Sequence, residues 1–305
     1  MNEERWTRSS LSKLKEKLAV VGQHVSEPTI SRLLKSLGYG LRANQKQAEA
    51  GANHAERDLQ FQYIKEKREE FTSQGLPIIS IDGKKKELIG NFKNGGRDWF
   101  LHAEAVKVHD FPSEAECRAV PFGIYDVNRN QGSVYVGTSA DTPEYAASCV
   151  VRWWEEVGRH QYPQAKQVLV LADGGGSNSC QSRVWKQDLQ TRLSDRLGLA
   201  VTVCHYPRGC SKWNPIEHRL FSYISLNWAG HPLRSLKSML GYIRGTTTTT
   251  GLKVQACLHA GVYEKGRKVS DAEMKELKIE RHPVCPKWNY TIRSRSVAVV
   301  AAGAT

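Results

Sequence analysis

Residues 168–172, VLVLA, constrain the fold more strongly than any other part of this sequence. The run has no polar residue to mark a solvent-facing side, and it leads directly into Asp173. A short, continuous apolar run of this kind is typical of a strand that is covered on both faces, as in sheets flanked by helices. The sequence therefore favours an α/β fold built around this strand.

The segments on either side of this run predict the rest of a sheet. Before it come β-rich runs separated by Gly, Asn and Asp turn residues: LPIISID, KELIGNF, WFLHAEAVKVHDF, AVPFGIYDV and GSVYVG. Helical patterns over 141–154, 184–197 and 214–228 then alternate with the strand runs VLVLAD and LAVTVCHY. An antiparallel meander followed by alternating strands and helices predicts a mixed sheet flanked by helices.

The N-terminal region has a different, helical pattern. Residues 9–39 predict two short helices, the second beginning at Ser26 with a Ser-Glu-Pro start. The pair is helix-turn-helix-like, and in that motif the early residues of the second helix, here Thr29, Ser31 and Arg32, would face the bases of a major groove. An ordinary helical hairpin is the alternative. Residues 44–71 then predict a largely solvated connecting helix.

Charge and cysteine content narrow the partners and the compartment. Lys and Arg number 44 against 31 Asp and Glu, a formal net charge of +13, which favours a polyanionic partner and nucleic acid first. Seven scattered cysteines without a C-x-x-C pair favour a reducing cytosol over a disulfide framework. The charged N-terminus and the lack of a long apolar run predict neither export nor a membrane partner. We therefore expect a cytoplasmic protein, associated with the nucleoid when bound to DNA.

Three carboxylates form the candidate site. Asp82 and Asp173 each end an apolar strand run and each precede a glycine. Strand ends of such sheets meet at one edge, and two carboxylates there require a compensating cation. Glu217 lies on the helical pattern after residue 214 and shares a face with apolar positions, so it is expected to point inward. Carboxylate oxygens are the ligands that Mg²⁺ and Mn²⁺ prefer, and two such ions can clamp an in-line phosphoryl displacement.

Each of these residues also has a purely structural explanation. Asn214-Pro-Ile-Glu217 fits a capping box with proline in the first turn, and Asp173 before Gly-Gly-Gly fits an Asx turn. Positive charge nevertheless clusters beside the proposed site, as phosphate contacts require. The candidate DNA-contacting residues of this region are Lys84, Lys85, Lys86, Arg208, Lys212, Trp213 and Arg219. The lysine run taken alone also fits a solvated charge run.

Several blocks, in this order, resemble one family: SIDGKKKELIGNFKNGGRDW, VHDF, GIYD, RWW, LADGGGSN and HYPRGCSKWNPIEHRLFSYISLNW. They are similar to the ISAzo-type insertion-sequence transposases of the DDE class, and three separated blocks each contain one expected acidic residue. The loop into NPIEH is also similar to that of mariner-like transposases. The sequence departs from the family at Gly83, where relatives usually carry Thr, and at Arg208 and Cys210, where they usually carry Pro and Thr.

The resemblance implies a ribonuclease-H-like fold and a DDE triad of Asp82, Asp173 and Glu217 that uses two Mg²⁺ or Mn²⁺ ions. It implies recognition of the element's terminal repeats by N-terminal helices, with double-stranded DNA as both element end and target, and assembly as a homo-oligomer on DNA. We expect a helical DNA-binding region over 1–71, the catalytic domain over 72–245, and a C-terminal extension with a disordered tail over 246–305.

Three functions remain open at this point. The first is a transposase that cleaves and joins DNA. The second is a catalytically silent DNA-binding repressor or domesticated remnant, because relatives carry a further N-terminal helix-turn-helix region ahead of RWTRSSLSKL and a truncated copy is expected here. The third is a nuclease or resolvase on the same fold, which would cleave without joining.

Overall fold

The computed structural model of the chain describes residues 9–40 and 54–295. They belong to two compact units, divided between residues 52 and 53. The first unit contains helices α1 (Leu11–Val20) and α2 (Glu27–Ser36). The side chain of Ser26 accepts a hydrogen bond from the Thr29 N–H and so caps α2, as the Ser-Glu-Pro start predicts. The predicted helix pair is therefore present, whereas its role in reading DNA remains a prediction.

The second unit contains the remaining elements of the described residues. In chain order they are α3 (His54–Ser73), β1 (Ile78–Gly83), β2 (Glu87–Ile89), β3 (Cys117–Asp126), β4 (Gln131–Gly137), α4 (Pro143–Trp153), α5 (Arg159–Gln161), β5 (Gln167–Ala172), α6 (Arg183–Asp188), β6 (Ala200–His205), α7 (Ser222–Asn227), α8 (Leu236–Arg244), β7 (Lys253–Leu258), α9 (Asp271–Lys275), β8 (Ile279–Arg281) and β9 (Asn289–Ile292). Three π-helical segments, Trp154–Gly158, Leu189–Asp195 and Glu217–Phe221, adjoin α4, α6 and α7.

The strands of this unit form one mixed sheet in the order β7, β4, β3, β1, β5, β6, β9, β8, with β2 paired to β3. β1, β3 and β4 make an antiparallel meander, and β5 and β6 run parallel to β1. A meander whose first strand also pairs with a parallel strand layer is the ribonuclease-H-like arrangement. The predicted fold class, a mixed sheet flanked by helices, is confirmed.

Apolar side chains cover both faces of the sheet, which explains why the central strands are apolar throughout. On one face, α4 and α6 bury Trp153 and Trp185 against the strands. On the other face, the π-helical segment Glu217–Phe221 packs with α7 and α8 over β3 and β4. α3 covers Leu169 and Leu171 of β5 from this side of the sheet. The run VLVLA is thus buried on both sides, as predicted.

One predicted strand is wrong. The sequence pattern predicts a β-rich run over residues 99–111, but these residues form an irregular loop between β2 and β3. Trp99 and Leu101 are 99% and 97% exposed, and the Phe100 ring contacts His231 rather than a strand of the sheet. Apolar character alone does not make a strand when no neighbouring strand accepts its backbone hydrogen bonds.

Residues 246–295 contribute strands that the sequence pattern did not predict. β7 runs parallel to β4 at one edge of the sheet, and β9 pairs antiparallel to β6 towards the other edge. The strands β8 and β9 have three and four residues, too short for periodicity to reveal them. The expected disordered tail, VAVVAAGAT, lies outside the described residues.

Candidate active site

The parallel pairing of β1 with β5 brings two of the predicted carboxylates to one edge of the sheet. Ile81 is in register with Ala172, so Asp82 and Asp173 come next on neighbouring strands at the same end. The Asp82 Oδ1 accepts a hydrogen bond of 2.8 Å from the Gly83 N–H, which fixes the carboxylate at the point where β1 ends. This arrangement is the one that the strand-end pattern predicts.

Glu217 approaches the same edge from the helical layer. It begins the π-helical segment Glu217–Phe221, and its carboxyl group is close enough to Asp82 to raise the pKa of that residue. The Asn214 side chain is turned towards β1, where its Nδ2 donates to the Ile81 carbonyl, rather than towards the start of the helix. The capping-box interpretation of Glu217 is therefore not what the structure shows.

Asp82 is a buried carboxylate that is crowded by like charge. Burial is the largest cause that raises the pKa of Asp82, from 3.8 to about 8, and the negative charges of Glu217 and then Asp173 add to it. A cation placed between these groups would relieve the repulsion. Pairs of carboxylates held together against repulsion are typical of sites that bind hard divalent ions.

The cluster does not form a closed cage of ligands. Within residues 9–40 and 54–295, no group of three or more His, Cys, Asp or Glu side chains is compact enough to hold an ion as it stands. After burial, Glu217 raises the pKa of Asp82 the most, and Asp173 raises it less. The donor chemistry thus fits a divalent cation, with Asp173 reaching the site from the neighbouring strand.

A cleft next to Glu217 holds three of the predicted basic residues. It is an open pocket of about 470 Å³, lined among others by Lys84, Lys85 and Lys212 and by the hydroxyls of Ser222 and Ser225. The three lysines therefore lie together beside the acidic cluster. A strand of DNA passing over this edge would meet positive charge directly next to the carboxylates.

Lys84 differs from its neighbours in being largely enclosed. Its Nζ lies 4.8 Å from the centre of the Trp228 ring and 4.0 Å from the Glu87 Oε1. Burial lowers the pKa of this lysine, opposed by the carboxylates of Glu87 and Glu217. Lys85 and Lys86 are exposed, and Lys86 is paired with Asp141 at 3.3 Å. The lysine run is thus not uniformly solvated, because its first member is built into the site.

The remaining residues that were predicted to contact DNA beside the acidic cluster are more scattered. Arg208 is exposed, and its stem lies against Gly174, the residue after Asp173. Trp213 is 57% exposed, with one edge against Phe61 and the Lys212 Nζ 5.3 Å from its ring centre. Arg219 is exposed on the same segment. Arg208 therefore lies beside the turn that follows Asp173, and Trp213 is partly exposed at the loop before Glu217.

The three residues predicted to read bases lie on α2 in the first unit. Arg32 is exposed, whereas Thr29 and Ser31 are half-buried. The Thr29 Oγ1 is 2.9 Å from the Ser26 Oγ, so this hydroxyl is already engaged in the helix start. Arg32 is the member of the three with the most accessible donor groups.

Sequence reasoning missed two polar residues that hold the site together, Ser80 and Asn214. Both are fully buried, and the Ser80 Oγ donates to the Asn214 Oδ1. The signal for Ser80 was present, since it is the one hydroxyl inside the apolar run LPIISID and a buried hydroxyl needs a partner. The partner itself lies 134 residues further along the chain, beyond the reach of any local pattern.

Two further findings concern the wider chain. No helix within the described residues is both long and apolar enough to cross a membrane. All seven cysteines are free in the structure.

No curated protein matches the sequence. Three solved complexes of the Mos1 transposase are similar in structure. The Mos1 paired-end complex with the left transposon end has 13% identity and a TM-score of 0.46, covering 80% of this chain and 72% of that chain. The mariner Mos1 paired-end complex with Mn has 13% identity and a TM-score of 0.44, and the match covers 80% of this chain and 72% of that chain. The Mos1 Strand Transfer Complex has 14% identity and a TM-score of 0.45, and the match covers 80% of this chain and 71% of that chain.

A family model described as the Rhodopirellula transposase DDE domain matches residues 1–294, nearly the whole sequence. The match implies an enzyme of the polynucleotidyl-transferase type that uses divalent metal ions. It confirms the resemblance to DDE-class transposases. The chain belongs to the Rhodopirellula transposase DDE domain family.

Proposed function

We propose that this chain cleaves the ends of its element and joins them to target DNA, with Asp82, Asp173 and Glu217 as the metal-binding triad. The single observation that carries the proposal is the convergence of these carboxylates at one edge of the sheet, where the charges of Glu217 and Asp173 reach the buried Asp82 and raise its pKa. A protein has no structural reason to hold three carboxylates at one sheet edge without a compensating charge. The family membership supports DNA cleavage and joining as the chemistry that this charge would serve.

The residues of the site divide into acidic and basic groups with different tasks. Two Mg²⁺ or Mn²⁺ ions bound by the triad would activate the attacking water or 3′-hydroxyl and stabilise the leaving oxygen. Asp82, held by the Gly83 N–H and in contact with Glu217, is the central ligand of this set. Asp173 comes from the adjacent strand β5 and completes the set.

The basic residues would orient the DNA backbone over the acids. Lys85 and Lys212 line the open cleft beside Glu217, and Arg208 flanks Asp173. Each such contact holds a phosphate without reading sequence. Sequence recognition is assigned to α2 through Arg32, with Thr29 and Ser31 nearby, and Trp213 is assigned to stacking at the loop before Glu217. Element ends and target would both be double-stranded DNA, bound by a homo-oligomer in the cytoplasm at the nucleoid.

The test is strand cleavage and joining by the purified full chain on duplexes that carry the DNA flanking its own reading frame, with Mg²⁺ or Mn²⁺. We expect Asp82→Asn, Asp173→Asn and Glu217→Gln each to lower the rate by at least about a thousandfold while DNA binding is retained. Glu280→Gln, an exposed acid on the edge strand β8, is the matched control and keeps the wild-type rate.

Three outcomes separate the hypotheses. Joined products that disappear in all three triad variants support the transposase. Cleavage without joining would identify a nuclease or resolvase. DNA binding with a steep salt dependence and no metal-dependent product would identify a silent repressor. Full activity of the Asp173→Asn protein would overturn the triad.

A further inference from the structure

The helical segment that carries Glu217 packs unusually close to the sheet, and two glycines make this possible. Gly123 of β3 is in register with Asp82 of β1, directly beside the acidic cluster. A Cβ at Gly123 would stand 2.4 Å from the Phe221 Cε1 and 2.8 Å from the Ile216 Cδ1. Non-bonded carbon atoms do not approach closer than about 3.4 Å without repulsion. The segment therefore occupies the space where any other side chain of β3 would lie.

Gly132 on the next strand repeats the arrangement. A Cβ there would stand 2.5 Å from the Leu220 Cδ1. Gly123 and Gly132 lie on the adjacent strands β3 and β4, and neither has a positive φ. Backbone conformation thus does not require glycine at either position, and close approach is the remaining reason for it. We call Gly123 and Gly132 the glycine seat.

A buried polar connection holds the same segment from its N-terminal side. The Ser80 Oγ of β1 donates to the Asn214 Oδ1 and accepts from the Ile216 N–H at 3.0 Å. The Asn214 Nδ2 donates to the Ile81 carbonyl at 3.1 Å, next to Asp82. Both side chains are fully buried, so each broken bond would leave a polar group without water. The residues just before Glu217 are in this way tied to the strand that ends in Asp82.

We propose that the glycine seat and the Ser80–Asn214 connection position Glu217 against Asp82, and that they set the metal affinity and the cleavage rate of the site. The inference rests on the proposed function and adds the residues that build its geometry. The seat fixes how closely the helical segment approaches the sheet, and the polar connection fixes where it begins. None of these four residues contacts the DNA in this account, so they are positioning residues.

A methyl group at position 123 would have to push the segment outward by about 1 Å, because the 2.4 Å approach must open to an ordinary contact. Displacement on this scale costs roughly a hundredfold in rate when it moves a catalytic group. Loss of an outer residue that orients a metal ligand lowers metal affinity by roughly 10- to 100-fold. The Gly123→Ala protein should show both effects.

The experiment compares Gly123→Ala with Gly241→Ala in the full chain. Gly241 lies exposed on α8 with no atom within 4 Å of an added Cβ, so it is the same substitution without the clash. Mn²⁺ affinity is measured by electron paramagnetic resonance without DNA, and cleavage is measured separately in Mg²⁺. We expect Gly123→Ala to lower the Mn²⁺ affinity by at least about tenfold and the cleavage rate by about a hundredfold. Gly241→Ala should change neither.

A second set of variants distinguishes displacement of the helical segment from a general loss of folding. Phe221→Leu and Ile216→Val remove the three ring and chain-end atoms nearest to the added methyl group. Combined with Gly123→Ala they should restore Mn²⁺ affinity by about tenfold, which a general loss of stability would not do. Ser80→Ala should weaken Mn²⁺ binding, and Ser80→Thr, which keeps the hydroxyl, should retain it.

The outcomes keep the two claims apart. A wild-type chain that neither binds Mn²⁺ nor cleaves DNA overturns the proposed function. Wild-type cleavage together with unchanged Mn²⁺ affinity and rate in folded Gly123→Ala and Ser80→Ala proteins overturns the positioning inference and leaves the proposed function standing. If Gly123→Ala lowers the Mn²⁺ affinity and the compensating substitutions do not restore it, the positioning role of the glycine seat is also contradicted.

Discussion

Replacing Asp82 with asparagine should stabilise the metal-free protein, although it removes a residue of the proposed active site. Asp82→Asn keeps an oxygen that can accept the hydrogen bond from the Gly83 N–H, but it takes one charge out of the acidic cluster. Because burial and the charges of Glu217 and Asp173 raise the pKa of Asp82 to about 8, the folded protein holds the Asp82 proton more tightly than the unfolded chain does. The ionised side chain therefore opposes folding.

The raised pKa of Asp82 determines the sign of its effect on stability and the pH range over which that effect appears. Asp82 costs no stability below pH 4, where it is protonated in both states, and its cost grows as the pH rises from 3.8 to 8. At about 1.4 kcal/mol per pKa unit, the limiting cost above pH 8 is about 6 kcal/mol. Loss of the side-chain interaction between Asp82 and Glu217 offsets part of the gain. We expect a net stabilisation of about 2–4 kcal/mol at pH 8 and close to none at pH 4.

Urea unfolding of both proteins in EDTA, at pH 4, 6 and 8, measures this difference. Asp195→Asn is the control of opposite sign, because hydrogen bonds from Arg295 outweigh burial and lower the pKa of Asp195. Asp195→Asn should therefore lower the free energy of unfolding at pH 6 and 8 rather than raise it. A stability gain of Asp82→Asn that does not grow with pH, or a loss at pH 8, would refute the reasoning.

Three further predictions concern other parts of the chain. Mg²⁺ should raise the melting temperature of the wild-type protein and much less that of Glu217→Gln, as read by a thermal shift titration, and equal shifts would contradict a role of Glu217 in binding the ion. Lys85→Ala should weaken DNA binding and reduce the slope of log affinity against log salt by about 1, whereas an unchanged slope in a salt titration would remove Lys85 from the phosphate contacts. Trp185→Ala should lower the free energy of unfolding by about 3–5 kcal/mol, because this ring is fully buried under α4 and donates to the Tyr290 hydroxyl at 3.1 Å. A loss below about 1 kcal/mol in urea unfolding would show that this core is not packed as described.

The sequence was informative wherever a local pattern carried the physics. The unbroken apolar run before Asp173 predicted a strand covered on both faces, and the strand ends predicted two carboxylates at one edge. Such statements need only the period of side chains along a strand and the direction of parallel strands. They place Asp82 and Asp173 on the same side of the molecule without any knowledge of the helices.

Features that depend on distant partners could not be predicted in this way. The run over residues 99–111 has strand-like composition but no partner strand among the described residues, and β9 completes the sheet with only four residues. The bond between Ser80 and Asn214, and the fit of Phe221 over Gly123, join segments about 100 residues or more apart. A glycine inside a strand hinted at a close approach, but not at which residue approaches.

The central claim is that Asp82, Asp173 and Glu217 together bind the ions that act on DNA. Crystals of the chain with duplex DNA and Mn²⁺ test this most directly, because anomalous scattering locates manganese independently of any assumption about its ligands. The account predicts anomalous peaks within about 2.5 Å of oxygen atoms of all three carboxylates, at the edge where β1 and β5 end. Peaks that lie elsewhere, or that contact Asp82 and Glu217 without Asp173, would contradict it.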